Sequence, residues 1–436
     1  MAAFKLALAL LGILSAIYLL VKKHETKTVL ICVGFILCLF SLAPLSAFDA
    51  FAKRMTSGGL IMAICASMGF AYVMRYTKCD QHLVRILTVP LRGLGFFLIP
   101  LTTALTFFIN IAIPSAAGCS AAVGGTLIPV LMASGVRPAM AAAAVFCGTF
   151  GSMLSPGSSH NAFVAEVVTK QTGVSKTVTD MIIAQLPYTV GALIPAVTFL
   201  CIMGFIFKDY VKGHDFSHEG VQNDAITKAN PIYALMPLIP LAILIVGGTS
   251  LSENPYLAWS KMGVPQAMLI GTVLTIIVTL TNPEKITKEF FSGMGQAYAE
   301  VMGIIIAASV FVAGLSATGA ISSAIDWLKD SNEFVRWGGT FGPFLMGVMT
   351  GSGDAAAMAF NEAVTPHANL LGYDMSDLGL AAATAGALGR TASPLAGAAI
   401  VCAGLAMTSP VEVVKRTAIG MIAATAFLAI FQISML

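Results

Sequence analysis

The sequence predicts an all-α polytopic membrane protein made of two inverted repeats, each with a re-entrant hairpin and a discontinuous helix. Three observations predict it. Apolar residues make up 57% of the chain and charged residues only 10%, where soluble domains carry roughly a quarter charged. Val29–Phe48, Met181–Phe207, Pro231–Leu251, Met262–Pro283 and Thr417–Leu436 contain no charge, and each is near or above the ~20 apolar residues a membrane-crossing helix needs. The chain also contains a second copy of part of itself. Setting Ser115 on Ser352 places Pro129 on Pro366 and Gly135 on Gly372. One residue of slip later, Gly148 meets Gly386, Gly151 meets Gly389, and Ser155-Pro156 meets Ser393-Pro394. Upstream, Ala66-Ser67 corresponds to Ala308-Ser309. Duplicated halves with Gly/Pro-interrupted apolar segments at matching places point to a secondary transporter's binding site.

Residues 1–57 read as N-terminal spans. Phe4–Val21 has no small-residue cleavage site before Lys22-Lys23 and is expected to be retained as the first span. With the N-terminus outside, Lys22–Lys27 is inside and Thr28–Phe48 leads out again. The first repeat is 58–207. Gly58–Met74 returns inward, and Arg75, Lys78, Arg85 and Arg92, with Leu83, Ile86 and Leu87 at helical spacing, suggest a cytoplasmic interfacial helix. The uncharged segment 93–136 has Pro114-Ser115-Ala116-Ala117-Gly118 at its middle. It reads as a hairpin whose tip is buried in protein, because exposed backbone is not tolerated in lipid. Segment 138–168 is a helix broken at Ser155–Asn161, and Met181–Phe207 returns to the cytoplasm. Residues 208–230 are polar and form a cytoplasmic linker. Connecting spans fill 231–297. The second repeat, 298–436, begins with a span that runs opposite to its partner, followed by the hairpin 338–372 and the broken helix 378–407. Lys and Arg are more numerous in the loops this topology places inside, as the positive-inside rule requires. The net charge of +3 and the eight cysteines, none in a CxxC pair, point to neither a nucleic-acid partner nor a metal or disulfide framework.

Pseudo-symmetry brings two hairpin tips and two helix breaks together. The tips offer Ser115, Ala116 and Gly118, and Ser352, Gly353 and Asp354. The breaks offer Ser155, Ser158, Ser159, His160 and Asn161, and Arg390, Thr391 and Ser393. Each Ser-Pro ends a half-helix, since proline lacks a donor and clashes with the preceding turn. The half-helix that follows presents free amides and a partial positive charge to an anion, while freed carbonyls suit Na⁺. Any single serine here is equally well a close helix-packing residue. An intramembrane arginine usually faces a cavity or a partner, so Arg390 is expected to hold a substrate carboxylate or to pair with Asp354. His160 and Asp354 are candidates for proton or ion coupling, and Ser115, Ser155, Ser352 and Ser393 for Na⁺.

The stretches SAAGCSAAVGGTLIPVLMASGV, GTFGSMLSPGSSHNAFVAE, FVAGLSATGAI, VMTGSGDAAAMAF, GALGRTASPLAGAAIVCAGLA and SPVEVVKRT resemble the DcuC type of anaerobic four-carbon dicarboxylate carriers, within the ion-transporter superfamily. The tips depart from relatives with an amide-containing Ser-Asn-Thr, being Ser-Ala-Ala and Ser-Gly-Asp. The resemblance implies an elevator-type fold and a homodimer in the bacterial inner membrane. It implies movement of fumarate, malate, aspartate or succinate, no cofactor, and Na⁺ or H⁺ as coupling ion. Sister groups that handle citrate, other organic anions or amino acids leave that class open as an alternative. A channel is the reading of a different class. An enzyme has little support, because HExxH, GxSxG and P-loop patterns are all lacking.

Overall fold

A computed structural model of the chain describes residues 2–22, 24–88, 95–216, 228–248, 250–321, 323 and 332–433. The helices are, in order, α1 (Ala2–Val21), α2 (Thr26–Phe40), α3 (Pro44–Met55), α4 (Gly58–Tyr76), α5 (Cys79–Thr88), α6 (Leu98–Ala112), α7 (Ala116–Ala133), α8 (Pro138–Cys147), α9 (Ser159–Thr172) and α10 (Val178–Ile206). Then come α11 (Pro231–Leu235), α12 (Ile239–Gly248), α13 (Val264–Thr279), α14 (Pro283–Ala297), α15 (Gly303–Ala317), α16 (Asn332–Thr350), α17 (Gly353–Ala363), α18 (Met375–Thr391), α19 (Gly397–Leu405) and α20 (Pro410–Phe431). Six helical runs among the described residues are long and apolar enough to cross a membrane. The chain is a polytopic helical membrane protein.

Proline accounts for the places where helices divide more finely than the apolar runs suggest. The run Thr28–Phe48 is two helices, because Leu42 turns at φ +61 and Pro44 opens α3, where its missing N–H is no loss. Pro237 and Pro240 split Pro231–Leu251 into α11, a 3₁₀ turn and α12. Conversely, the span expected to open the second repeat begins upstream, at Pro283: α14 runs through a π-helical turn, Tyr298–Met302, into α15.

The helices sort into two groups. In the inner group, α6–α10 and α16–α20 pack together, with α16 on α18, α10 on α20 and α19 on α7. Its interior is rich in alanine, including the fully buried Ala141–Ala144, and such small residues let helix backbones approach closely. The framing group is α1–α5 with α11–α15, where α4 packs on α14 and α2 on α15. The best apolar window of Pro138–Thr172 is 94% buried, while that of α10 is 39% buried. The first broken helix is therefore central, and α10 turns Ile194, Phe205 and Ile206 outward.

The duplication persists in three dimensions. A Cβ on Gly151 would lie 2.0 Å from the Phe107 carbonyl oxygen of α6, and one on Gly389 would lie 2.1 Å from that of Phe344 in α16. Both members of each pair are equivalent in the two copies. Gly135 and Gly372, likewise equivalent, both take positive φ, +95 and +79, between hairpin and broken helix.

Ion pairs fasten the periphery. Arg54 of α3 reaches Glu166 of α9 at 3.0 Å and also bonds Glu362 of α17, so one framing cation holds both repeats. The polar stretch 208–230 starts packed: Asp209 is fully buried and held by two Arg416 nitrogens at 2.7 and 2.9 Å. Val136 pairs with Tyr210 beside it. Residues 217–227 of that stretch lie outside the described residues.

Candidate substrate-binding site

Each hairpin turns in an extended residue just before its second arm. Ser115 (φ −76, ψ 114) caps α7, its Oγ accepting from the Gly118 amide at 3.1 Å. In the second copy Gly351 (φ +74) and Ser352 (φ −128, ψ 108) make the turn before α17. That arm has 11 residues, about 16 Å at 1.5 Å per residue, too short to cross a ~30 Å hydrocarbon core. The breaks differ. After α8 the first copy unwinds through a 3₁₀ turn, Gly151–Leu154, before Ser155-Pro156, whereas α18 stays helical to Thr391, next to Ser393-Pro394.

The opening residues of α7, α9 and α19 and the second residue of α17 (Ala116, Ser159, Gly397 and Asp354) all line one cavity of about 920 Å³ at the junction of the two groups. Three half-helix N-termini thus open on one space, and the fourth, that of α17, reaches it through Asp354. Each brings unpaired amide donors and the positive end of a helix dipole, which favours an anion there.

Two charged groups flank these ends. The Asp354 side chain is 48% accessible, and its Oδ1 lies 3.1 Å from Nε2 of the almost wholly buried His160. Arg390 crosses between the breaks: its Nη2 donates to the Thr149 carbonyl at 2.9 Å, and its buried Nε has no partner. The Ser158 hydroxyl and His160 Nδ1 are also buried without a partner. An unmet buried polar group costs about 1–3 kcal/mol, so these three atoms suit a ligand that supplies hydrogen bonds.

The cavity brings together Ser115, Ala116, Gly118, Ser158, Ser159, His160, Asp354 and Arg390. Other residues expected at the site lie outside its lining. Ser155 lines a smaller neighbouring pocket, its Oγ accepting from Gly157 N at 3.2 Å. Asn161 is fully buried, donating to the Met153 and Ser155 carbonyls and accepting from Gln185. Thr391 donates to Ala387 O, and Ser393 Oγ accepts from Leu395 N. The Ser352 amide and carbonyl are bonded by Thr350, and Gly353 packs against the Gly386 backbone. Arg390 and Asp354 form no ion pair, because each has a nearer partner from the first copy. The four serines considered for Na⁺ are likewise dispersed: Ser115 is on the large cavity, Ser155 on the small one, and Ser352 and Ser393 on neither. Carbonyls freed at the first break are largely claimed by Asn161 and by Gln185, which donates to Met153 O at 2.7 Å.

The framing side of the cavity was not evident from sequence. Tyr72, Arg75, Asp80, Gln81, Arg85 and Glu300 line it. Burial pushes the Asp80 carboxyl up to about 6, against the pull of the Gln81 amide and Arg75. Glu300, on the π-helical turn, pairs with Lys27 at 2.8 Å. The signal available was Gln81 and Arg85 at i,i+4, one face of a helix, but that pattern equally fits a helix lying on lipid.

The family model for the C4-dicarboxylate anaerobic carrier, DcuC, matches residues 11–436. An uncharacterized transporter of Haemophilus influenzae is 59% identical over 285 residues, spanning 64% of this chain and 100% of the relative. The anaerobic C4-dicarboxylate transporter DcuC of Escherichia coli K12 is 29% identical over 373 residues, 83% of this chain and 77% of the relative. Among solved structures, MtrF of Neisseria gonorrhoeae, described as one of a class of antimetabolite efflux pumps, aligns with a TM-score of 0.60 at 14% identity. It covers 91% of this chain and 85% of MtrF. The YdaH transporter of Alcanivorax borkumensis aligns with a TM-score of 0.56 at 14% identity, covering 88% and 87%. At those identities the likeness is one of fold.

Proposed function

The chain belongs to the DcuC family of C4-dicarboxylate anaerobic carriers, and from that membership we propose that it is a secondary active transporter of fumarate, malate, succinate and aspartate across the bacterial inner membrane. It is a transporter, not an enzyme. The observation that carries the substrate reading is the meeting of the α7, α9 and α19 N-termini and Arg390 on one cavity. In this reading Arg390 holds one substrate carboxylate by parallel hydrogen bonds, and helix ends with the Ser115, Ser158 and Ser159 hydroxyls hold the other. The His160–Asp354 pair carries the coupling proton: both residues line the cavity, and His160 Nε2 lies 3.1 Å from Asp354 Oδ1. Alternating access proceeds by movement of the inner group, which bears every one of these residues, against the frame. The frame serves as the homodimer contact.

The test is counterflow in proteoliposomes. Purified protein loaded inside with unlabelled succinate should accumulate labelled fumarate or succinate, and an imposed H⁺ gradient should raise the accumulation where a Na⁺ gradient does not. Labelled citrate and basic amino acids form the competing arm, and uptake of these without C4-dicarboxylate uptake overturns the substrate class. Flux without counterflow identifies a channel. Stimulation by Na⁺ alone overturns the proton assignment.

A further inference from the structure

Arg75, in the last turn of α4, is a cation that the reading above leaves unused. Its guanidinium lies over the Tyr72 ring, 5.1 Å from the centroid. Among the described residues it makes no ion pair within 4 Å; Asp80 acts on it only at longer range. On the other side, its Nη2 is 3.6 Å from the point where a Cβ on Gly118 would stand, and Ser115 Oγ is 3.2 Å from that same point. The guanidinium therefore sits over the first turn of α7, an 18-residue helix. A fixed cation beside the positive end of a helix dipole is unfavourable unless an anion lies between them. Ser158 and His160, both more than nine-tenths buried, line the same cavity, and each carries a buried polar atom (Ser158 Oγ, His160 Nδ1) without a hydrogen-bond partner. Arg390 lines the same cavity from the inner group, while Arg75 lines it from the frame.

We propose that Arg75 is a second carboxylate anchor, gripping the end of the substrate that Arg390 does not hold, and that the two arginines together select molecules with two carboxylates over molecules with one. The α7 amides and the Ser115 hydroxyl share that carboxylate with Arg75. Tyr72 keeps the guanidinium plane in place, as arginine stacks well on aromatic faces. The inference rests on the dicarboxylate reading and assigns a residue that the sequence placed on the lipid surface.

The experiment compares succinate with succinamate, in which one carboxylate is an amide, in proteoliposomes of wild type, Arg75→Gln and Arg75→Lys. A hydrogen-bonded charge pair of this kind is worth about 10-fold or more. Arg75→Gln should raise the succinate KM at least about 10-fold while leaving the succinamate KM within about 2-fold, so that selectivity collapses. Arg75→Lys should restore part of it, since the charge returns without the planar fork. Size-exclusion profiles confirm folding, and if Arg75→Gln fails to fold, Arg75→Lys alone must still narrow the selectivity. An unchanged succinate KM overturns the proposal, as does an equal weakening of both substrates, which marks a structural role. A wild-type protein that carries no C4-dicarboxylate overturns the functional reading itself. Wild-type succinate transport with an indifferent Arg75 overturns only the anchor.

Discussion

Arg390 shows what a single residue contributes that its pseudo-symmetric equivalent, Ser152, cannot. It stands where the first copy has already unwound into a 3₁₀ turn, and its guanidinium reaches the Thr149 carbonyl that this unwinding exposes. Its Nε stays unpartnered, so one edge of the fork remains for a ligand. Arg390→Lys should keep the fold and lose most transport, because an ammonium is a point charge and cannot serve the carbonyl and a carboxylate in one plane. The measurement is counterflow beside a detergent melting curve. Near wild-type rate and affinity in the lysine variant would show that the fork is dispensable. Arg390 was legible in the sequence because a charge in an apolar, proline-broken segment is conspicuous. Asn161 shows the opposite limit: its residue type suits a ligand and a buried backbone carbonyl equally, and only the fold shows that it turns to Met153 and Ser155.

At the scale of elements, the hairpins and breaks were readable because proline and glycine mark them, and the two copies mark them alike. Their packing explains the glycines. Gly151 and Gly389 each press a bare Cα against the first arm of the adjoining hairpin, holding broken helix and hairpin at a distance no side chain permits. Gly151→Ala should destabilise by about 1–3 kcal/mol or more through overpacking, and Gly389→Ala by a similar amount. A lowered melting temperature for both, against an unchanged one for Gly125→Ala in open space, is the expected result. Equal tolerance at all three would mean that the close approach is not rigid. The elements that sequence rendered poorly are those whose partner decides their role. α5 is amphipathic, and that pattern suits lipid and a protein cavity equally. α14 carries charge, yet packs along α4 as the start of a helix that continues through α15.

At the scale of the whole molecule, the topology inferred from the charge bias puts 208–230 on the cytoplasmic side. Lys212, exposed at the start of that stretch, tests it: Lys212→Cys should react with a membrane-impermeant maleimide only after cells are opened. Labelling in intact cells would invert the assignment. The Arg390 bond to Thr149 has a mechanical consequence. Together with Asn110, which accepts from the Ser152 amide at 2.7 Å, and with Asn161 and Gln185 on the Met153 carbonyl, it cross-braces the first break and rivets it to the second. A joint braced in this way is expected to behave as a weld: the two repeats are then geared to one another, and a change of access would come from shifting the pair as one piece against the frame rather than from bending either break.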